Sequence, residues 1–164
     1  MRKLQHLSLN LRDKYRGKEF RTLYTGKVTV MGGEAAHGRA SGIVRSDDGE
    51  LQVNLRLPPA LGGPGGGTNP EQLFAAGFAA CFHCALGLLA AKAGLEIADA
   101  EVTASVDFGR DPVDGLYALT ARINVYLPGP ERAVAEELVR NAERLCPYSK
   151  MTRQGIHCVI ALTQ

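Results

Sequence analysis

Charge of one sign is in short supply in this chain. Nineteen basic residues face seventeen acidic ones, leaving a net charge of +2 over 164 residues. Such a balance argues neither for nor against a nucleic-acid partner. Cysteine is scarce as well. Four thiols are too few for the disulfide scaffold of a secreted domain. No apolar h-region opens the N-terminus, so no secretory signal is expected. Both absences point to the reducing cytoplasm, where cysteines are catalytic, metal-binding or simply buried. Residues 1 to 21 hold seven of the nineteen basic residues: Arg2, Lys3, Arg12, Lys14, Arg16, Lys18 and Arg21. They lack the aromatic interleaving and sustained amphipathic period of a nucleic-acid or membrane-surface patch, and they read as a solvated arm. There is no internal repeat and no low-complexity tract. Apolar residues at 45% and charged residues at 22% suit one soluble domain with a proper core.

The longest gap in the charge pattern runs from Leu73 to Ala91. About 19 uncharged residues are enough for a membrane span. This run, however, is nearly half Ala and Gly, carries His83 and two cysteines, and lies between strand-like segments. It reads as the central helix of a globular core. Its start is well marked. Asn69 can cap, Pro70 suits the first helical position, and Gln72 stands where a capping box places it. Glu71 agrees with the helix dipole. Leu73, Gly77, Cys81, Ala85 and Leu88 recur at helical spacing, but the other faces are apolar too. A helix hydrophobic all round must be covered all round, so a second subunit is expected to cover part of it.

Alternation predicts strands over Leu23 to Met31, Ile43 to Arg45 and Leu51 to Leu57, then a hairpin of Ala100 to Gly109 and Leu116 to Leu127 across Asp111-Pro112-Val113-Asp114-Gly115. Glu131 to Leu145 reads as an amphipathic helix with Val134, Leu138, Ala142 and Leu145 inward, ended by Pro147. Ile156 to Thr163 reads as a last strand. Between Leu57 and the central helix, Gly62-Gly63-Pro64-Gly65-Gly66-Gly67 lacks the lysine of a P-loop; it reads as a mobile connection. The order predicts an α+β domain, antiparallel sheets packed on a long central helix.

Cys81 and Cys84 form a C-x-x-C deep inside the predicted helix. A thioredoxin-type pair belongs at a helix N-terminus. Zinc held by Cys81, Cys84, Cys146 and Cys158, with His83 or His157, is a second reading, although structural zinc pairs favour knuckles and turns. Inert buried thiols are a third. Cys146, in Cys146-Pro147-Tyr148-Ser149, is different: Pro147 forces it out of helical geometry. Lying at the carbonyl end of a helix, its thiol suits a resolving role better than that of first nucleophile. An apolar helix face raises the pKa of Cys81. To react, Cys81 needs a nearby cation, best an arginine held by a carboxylate. Arg39 lies in a Gly-rich loop that can reach inward, and Glu71 opens the central helix. Glu71 and Cys81 are about 15 Å apart along a straight helix, so an extended arginine must bridge them or Glu71 must serve across a dimer interface.

The stretch Thr68 to Phe82, with Cys146-Pro147-Tyr148-Ser149, closely resembles the organic hydroperoxide resistance (Ohr) proteins of the OsmC/Ohr superfamily. The resemblance covers about residues 22 to 164 and leaves residues 1 to 21 outside as a basic extension. It implies a cysteine-based peroxidase in which Cys81 is the peroxidatic thiol and Cys146 the resolving one. Glu71 would anchor the active-site arginine, assigned to Arg39 in Gly38-Arg39-Ala40-Ser41-Gly42, with Arg45 as second choice. Cys84 and Cys158 would be buried bystanders. The resemblance further implies an intertwined homodimer and reduction by dihydrolipoamide or a lipoylated protein, with no bound cofactor or metal. Phe74, Phe78 and Phe82 would supply an apolar wall for an organic hydroperoxide. The rival expectation is a non-enzymatic ligand-binding or redox-sensing module of the same fold.

Overall fold

The computed structural model describes residues 15–34 and 41–163. Five strands and three α-helices run β1 (Val28–Met31), β2 (Ser41–Ser46), β3 (Gln52–Arg56), α1 (Pro70–Lys92), β4 (Glu101–Arg110), β5 (Tyr117–Tyr126), α2 (Arg132–Leu145) and α3 (Pro147–Gln154). The expected α+β class with antiparallel sheets and one long helix is what is found. The chain forms two units, residues 11–74 and a second built mainly from 75–164.

In the N-terminal unit, β1-β2-β3 is an antiparallel sheet. Val30 stands opposite Val44, and Val44 opposite Val53. Val44 and Leu55 are its buried apolar residues. The first strand is shorter than its sequence suggests: Leu23 and Tyr24 are exposed and outside the sheet, because alternation marks a competent segment but pairing is what makes a strand.

The glycine-rich connection departs from expectation. It is not a free swing of backbone but a clasp on β3. The Gly65 N–H donates to the Leu57 carbonyl at 3.0 Å, Thr68 N–H to Asn54 at 2.9 Å, and Arg56 N–H to Thr68 at 2.8 Å. A Cβ on Gly63 would overlap the Leu57 carbonyl, and one on Gly67 would come within 2.7 Å of the Asn54 carbonyl. Gly63 and Gly67 thus serve close backbone approach, while Gly62, Gly65 and Gly66 take left-handed φ values of 80°, 66° and 80° that favour glycine. The clasp delivers Asn69 in place to start α1. Its Oδ1 accepts the Gln72 N–H at 2.9 Å, and the Thr68 hydroxyl donates to Gln72 Oε1 at 2.9 Å. The cap is therefore as read. The Gln72 side chain, however, is held by Thr68 rather than reaching back to the Asn69 N–H.

In the second unit, α1 buries Phe78, Phe82, Ala85, Leu86, Leu89 and Ala90, one stripe at helical spacing. Its opposite face, with Ala76, Ala80, His83, Cys84, Leu88 and Ala91, is exposed. The helix is long and apolar enough to cross a membrane by length and composition, but within one chain it is covered on one side only. β4 and β5 pair along their whole length, Glu101 opposite Tyr126 and Arg110 opposite Tyr117. Two aspartates close the turn. Asp111 Oδ1 accepts the Val113 N–H and Asp114 Oδ1 the Leu116 N–H, each at 2.8 Å; this is the Asx chemistry that the sequence announces. In α2, Leu138 and Ala142 are fully buried, with Val134 and Leu145 half-buried beside them.

One expectation for the C-terminus holds and one fails. α2 ends ahead of Pro147, as read, and a further short helix, α3, begins there. Ile156 to Thr163 is not a strand. Among the described residues it pairs with nothing, and Ile160 is 95% exposed. An apolar segment becomes a strand only where its backbone is paired with another, and here it is not.

Candidate active site

The site is made where α1 meets the α2–α3 junction. α2 ends because the residue before a proline is pushed out of the α region. Cys146 takes φ −67° and ψ 118°, and its own N–H closes the last turn on the Ala142 carbonyl. The same proline then occupies the first position of α3, where a missing N–H costs nothing. Cys146 is thus at once the C-cap of one helix and the N-cap of the next. The extended backbone turns its sulfur toward α1, and it is completely buried.

Cys81 faces it from the middle of α1. The two sulfurs are 3.2 Å apart, with the Cys146 thiol donating to Cys81 Sγ, and both cysteines are free thiols. A disulfide needs about 2.05 Å, so closing the pair takes little more than an ångström of sulfur movement. Cys81 is half-buried, whereas Cys84 and Cys158, expected to be buried, are exposed: Cys84 lies on the uncovered face of α1 and Cys158 in the unpaired segment after α3. Of the two paired sulfurs, Cys81 is the one a reactant can reach.

A second contact on Cys81 comes from α3. The Tyr148 backbone N–H, in the first turn of that helix, donates to Cys81 Sγ. Burial pushes the Cys81 thiol up, to about 11. The Tyr148 N–H pulls the other way, and the neighbouring Cys146 and Cys84 thiols add to the rise. The direction agrees with what an apolar helix face does to a thiol. At neutral pH Cys81 in this setting is protonated, and a cation is needed to make it a nucleophile.

Gly77 lies one turn before Cys81. The Tyr148 ring passes directly over it: a Cβ there would sit 2.8 Å from the phenol oxygen and 3.2 Å from the carbon that bears it. The ring also packs on Phe78, centroids 5.9 Å apart and planes tilted by 32°. Beside them Ser149 is buried in α3.

The structure therefore brings Cys81, Cys146 and Phe78 together and places Phe82 on the same buried stripe as Phe78. Glu71 and Phe74 are half-buried near the start of α1. Arg39 lies outside the described residues. Arg45, the second choice, is exposed in β2, where its Nε donates to Gln52 Oε1 at 3.1 Å. Sequence reading missed the Tyr148 N–H and Gly77. The signal for the first was present, since Pro147 after Cys146 repeats the pattern of Pro70 after Asn69. Gly77 carried no signal at all, because its purpose is set by a ring 71 positions away in sequence. Among the described residues no three His, Cys, Asp or Glu side chains stand together as a metal site.

Comparison with known proteins fits this arrangement. The OsmC-like protein family matches residues 63–161. The organic hydroperoxide resistance protein OhrB of Bacillus subtilis is 41% identical over 140 residues, covering 85% of this chain and 98% of its own. The organic hydroperoxide resistance protein of Xanthomonas campestris pv. phaseoli is 40% identical over 144 residues, covering 87% and 96%. Among solved structures, that of Bacillus subtilis OhrB aligns with a TM-score of 0.68 over 81% of this chain and 93% of the other. An organic hydroperoxide resistance protein from Legionella pneumophila aligns with a TM-score of 0.71 at 38% identity, over 82% and 93%. With the family match spanning the long helix and both paired cysteines, and with relatives near 40% identity along most of its length, this chain belongs to the OsmC-like family, in its organic hydroperoxide resistance branch.

Proposed function

We propose that the protein is a cysteine peroxidase that reduces organic hydroperoxides to alcohols in defence against oxidative stress in the cytoplasm. The observation that carries this reading is the pair of free thiols 3.2 Å apart, one reachable and one buried, in a chain whose relatives are named for organic hydroperoxide resistance. The Cys81 thiolate attacks the terminal oxygen of the hydroperoxide. The O–O bond breaks, the alkoxide takes a proton and leaves as alcohol, and Cys81 becomes a sulfenic acid. Cys146 then attacks that sulfur, water departs, and a Cys81–Cys146 disulfide results. A dithiol such as dihydrolipoamide, free or on a lipoylated protein, returns both thiols by exchange. Arg39, held by Glu71, supplies the cation that ionises Cys81.

Organic hydroperoxides are expected to exceed hydrogen peroxide by ~100-fold in kcat/KM. An apolar tail against Phe74, Phe78 and Phe82 gains about 0.8 kcal/mol per buried methylene. Three or four such groups give roughly 2.4 to 3.2 kcal/mol, or about 60- to 200-fold, where the contacts persist in the transition state. Hydrogen peroxide has no tail and forfeits this. Turnover of cumene hydroperoxide and of hydrogen peroxide with dihydrolipoamide as reductant is the direct comparison. Equal rates would refute the apolar wall; no turnover of either would favour a non-enzymatic binding or sensing module.

The protein works as a homodimer in this reading. The exposed apolar face of α1, with Leu88 at 49%, and the unpaired segment after Gly155 are surfaces that a second copy can cover. Light scattering at micromolar concentration should return twice the 17.5 kDa chain mass. A monomer would contradict the assignment.

A further inference from the structure

Gly77 is not explained by the helix that contains it. Mid-helix glycine is unfavourable relative to alanine, and α1 is otherwise rich in alanine. What distinguishes position 77 is the Tyr148 phenol above it, 2.8 Å from where a Cβ would stand. The ring has little room to yield, since Phe78 lies against it at 5.9 Å between centroids. Nor is the backbone of Tyr148 loose: it follows Pro147, whose φ is fixed, and its N–H is bonded to Cys81 Sγ.

We propose that Gly77 is a positioning residue: by leaving its side-chain space to the Tyr148 ring, it seats the first turn of α3 on α1, so that the Tyr148 N–H and the Cys146 thiol both bear on Cys81 Sγ. The inference rests on the reading of Cys81 as the reacting thiol. Three residues then act as one device. The ring on Gly77 sets the height of α3 along α1. That height sets the N–H against the sulfur, where the positive end of the short helix favours a thiolate. It also fixes the 3.2 Å between the two sulfurs, the distance that decides how soon Cys146 captures an oxidised Cys81. A methyl group at 77 lifts the ring, and the hydrogen bond weakens steeply as its geometry departs from linear.

The test reads Cys81 without peroxide, so it fails separately from the peroxidase reading. In the reduced protein, Cys81 alkylation by iodoacetamide is followed by peptide mass against pH, and Cys81–Cys146 disulfide formation is followed with diamide as oxidant. Gly77→Ala is expected to slow Cys81 alkylation at neutral pH about 3- to 10-fold, corresponding to up to about one pH unit in the thiol midpoint. It should also slow disulfide closure, with helix content by circular dichroism unchanged. Tyr148→Ala, which removes the ring but keeps the N–H donor, should loosen the same seat and slow both steps. In that background Gly77→Ala should cost nothing further, because the pair is one interaction. Unchanged alkylation and closure in Gly77→Ala, or an equal loss with and without the Tyr148 ring, would overturn the proposal.

Discussion

Cys81→Ser is expected to lose organic hydroperoxide turnover by roughly three orders of magnitude or more while the protein stays folded. The reaction needs an anion at that atom, and a serine hydroxyl in a site that already raises a thiol to about 11 does not ionise. The fold has little reason to respond. Serine is close in size to cysteine, position 81 is only half-buried, and the core of α1 is carried by Phe78, Phe82, Leu86 and Leu89. The partner substitution separates the two sulfurs by role. Cys146→Ser leaves Cys81 able to react once, so one equivalent of hydroperoxide should be consumed and the sulfenic acid should accumulate. Intact mass should show a gain of one oxygen. A disulfide between Cys81 and Cys84 in that variant would show that the exposed thiol is not a bystander. Substantial turnover by Cys81→Ser would end the assignment of the nucleophile.

The second large effect belongs to a residue outside the described part of the chain. Arg39→Ala should move the Cys81 midpoint upward, toward the value of about 11 set by burial. The sign follows from the charge: a guanidinium favours the thiolate, and its loss favours the neutral thiol. Four pH units below such a midpoint only about one thiol in ten thousand is ionised, whereas a midpoint near 7 leaves half ionised. Lower intrinsic nucleophilicity of the more acidic thiol returns part of that factor, so a ~10²- to 10³-fold loss in peroxide attack is expected near neutrality, shrinking as pH rises. The natural control is Arg45→Ala. Arg45 is exposed and bonded to Gln52, and its loss should leave the alkylation profile of Cys81 in place. A larger effect from Arg45 than from Arg39 would show that the wrong arginine was chosen.

The sequence by itself determined the elements whose cause is local. Asn69-Pro70 starts α1 because a side-chain acceptor and a fixed φ act within one turn. Asp111 to Gly115 folds back because its carboxylates bond N–H groups two residues on. The Cys146-Pro147 pair breaks α2 because a steric clash between neighbours decides it. The motif around Cys81, together with Cys146-Pro147-Tyr148-Ser149, is distinctive enough to point to the family by itself. Tertiary structure decided whatever depends on a partner distant in the chain. Ile156 to Thr163 is as apolar as a strand, yet among the described residues it pairs with nothing. The glycines at 62–67 are compatible with swing or with close approach, and only the backbone of 54–57 lying against Gly63 and Gly67 selects the second for them. Tyr148 holds Cys81 through a backbone N–H; Cys146-Pro147 marks the helix start that frees this N–H, but only the packing of α3 on α1 shows which atom it meets. Gly77 is the sharpest case: what it provides is the absence of a side chain, and only the tyrosine ring that fills the space gives that absence a meaning.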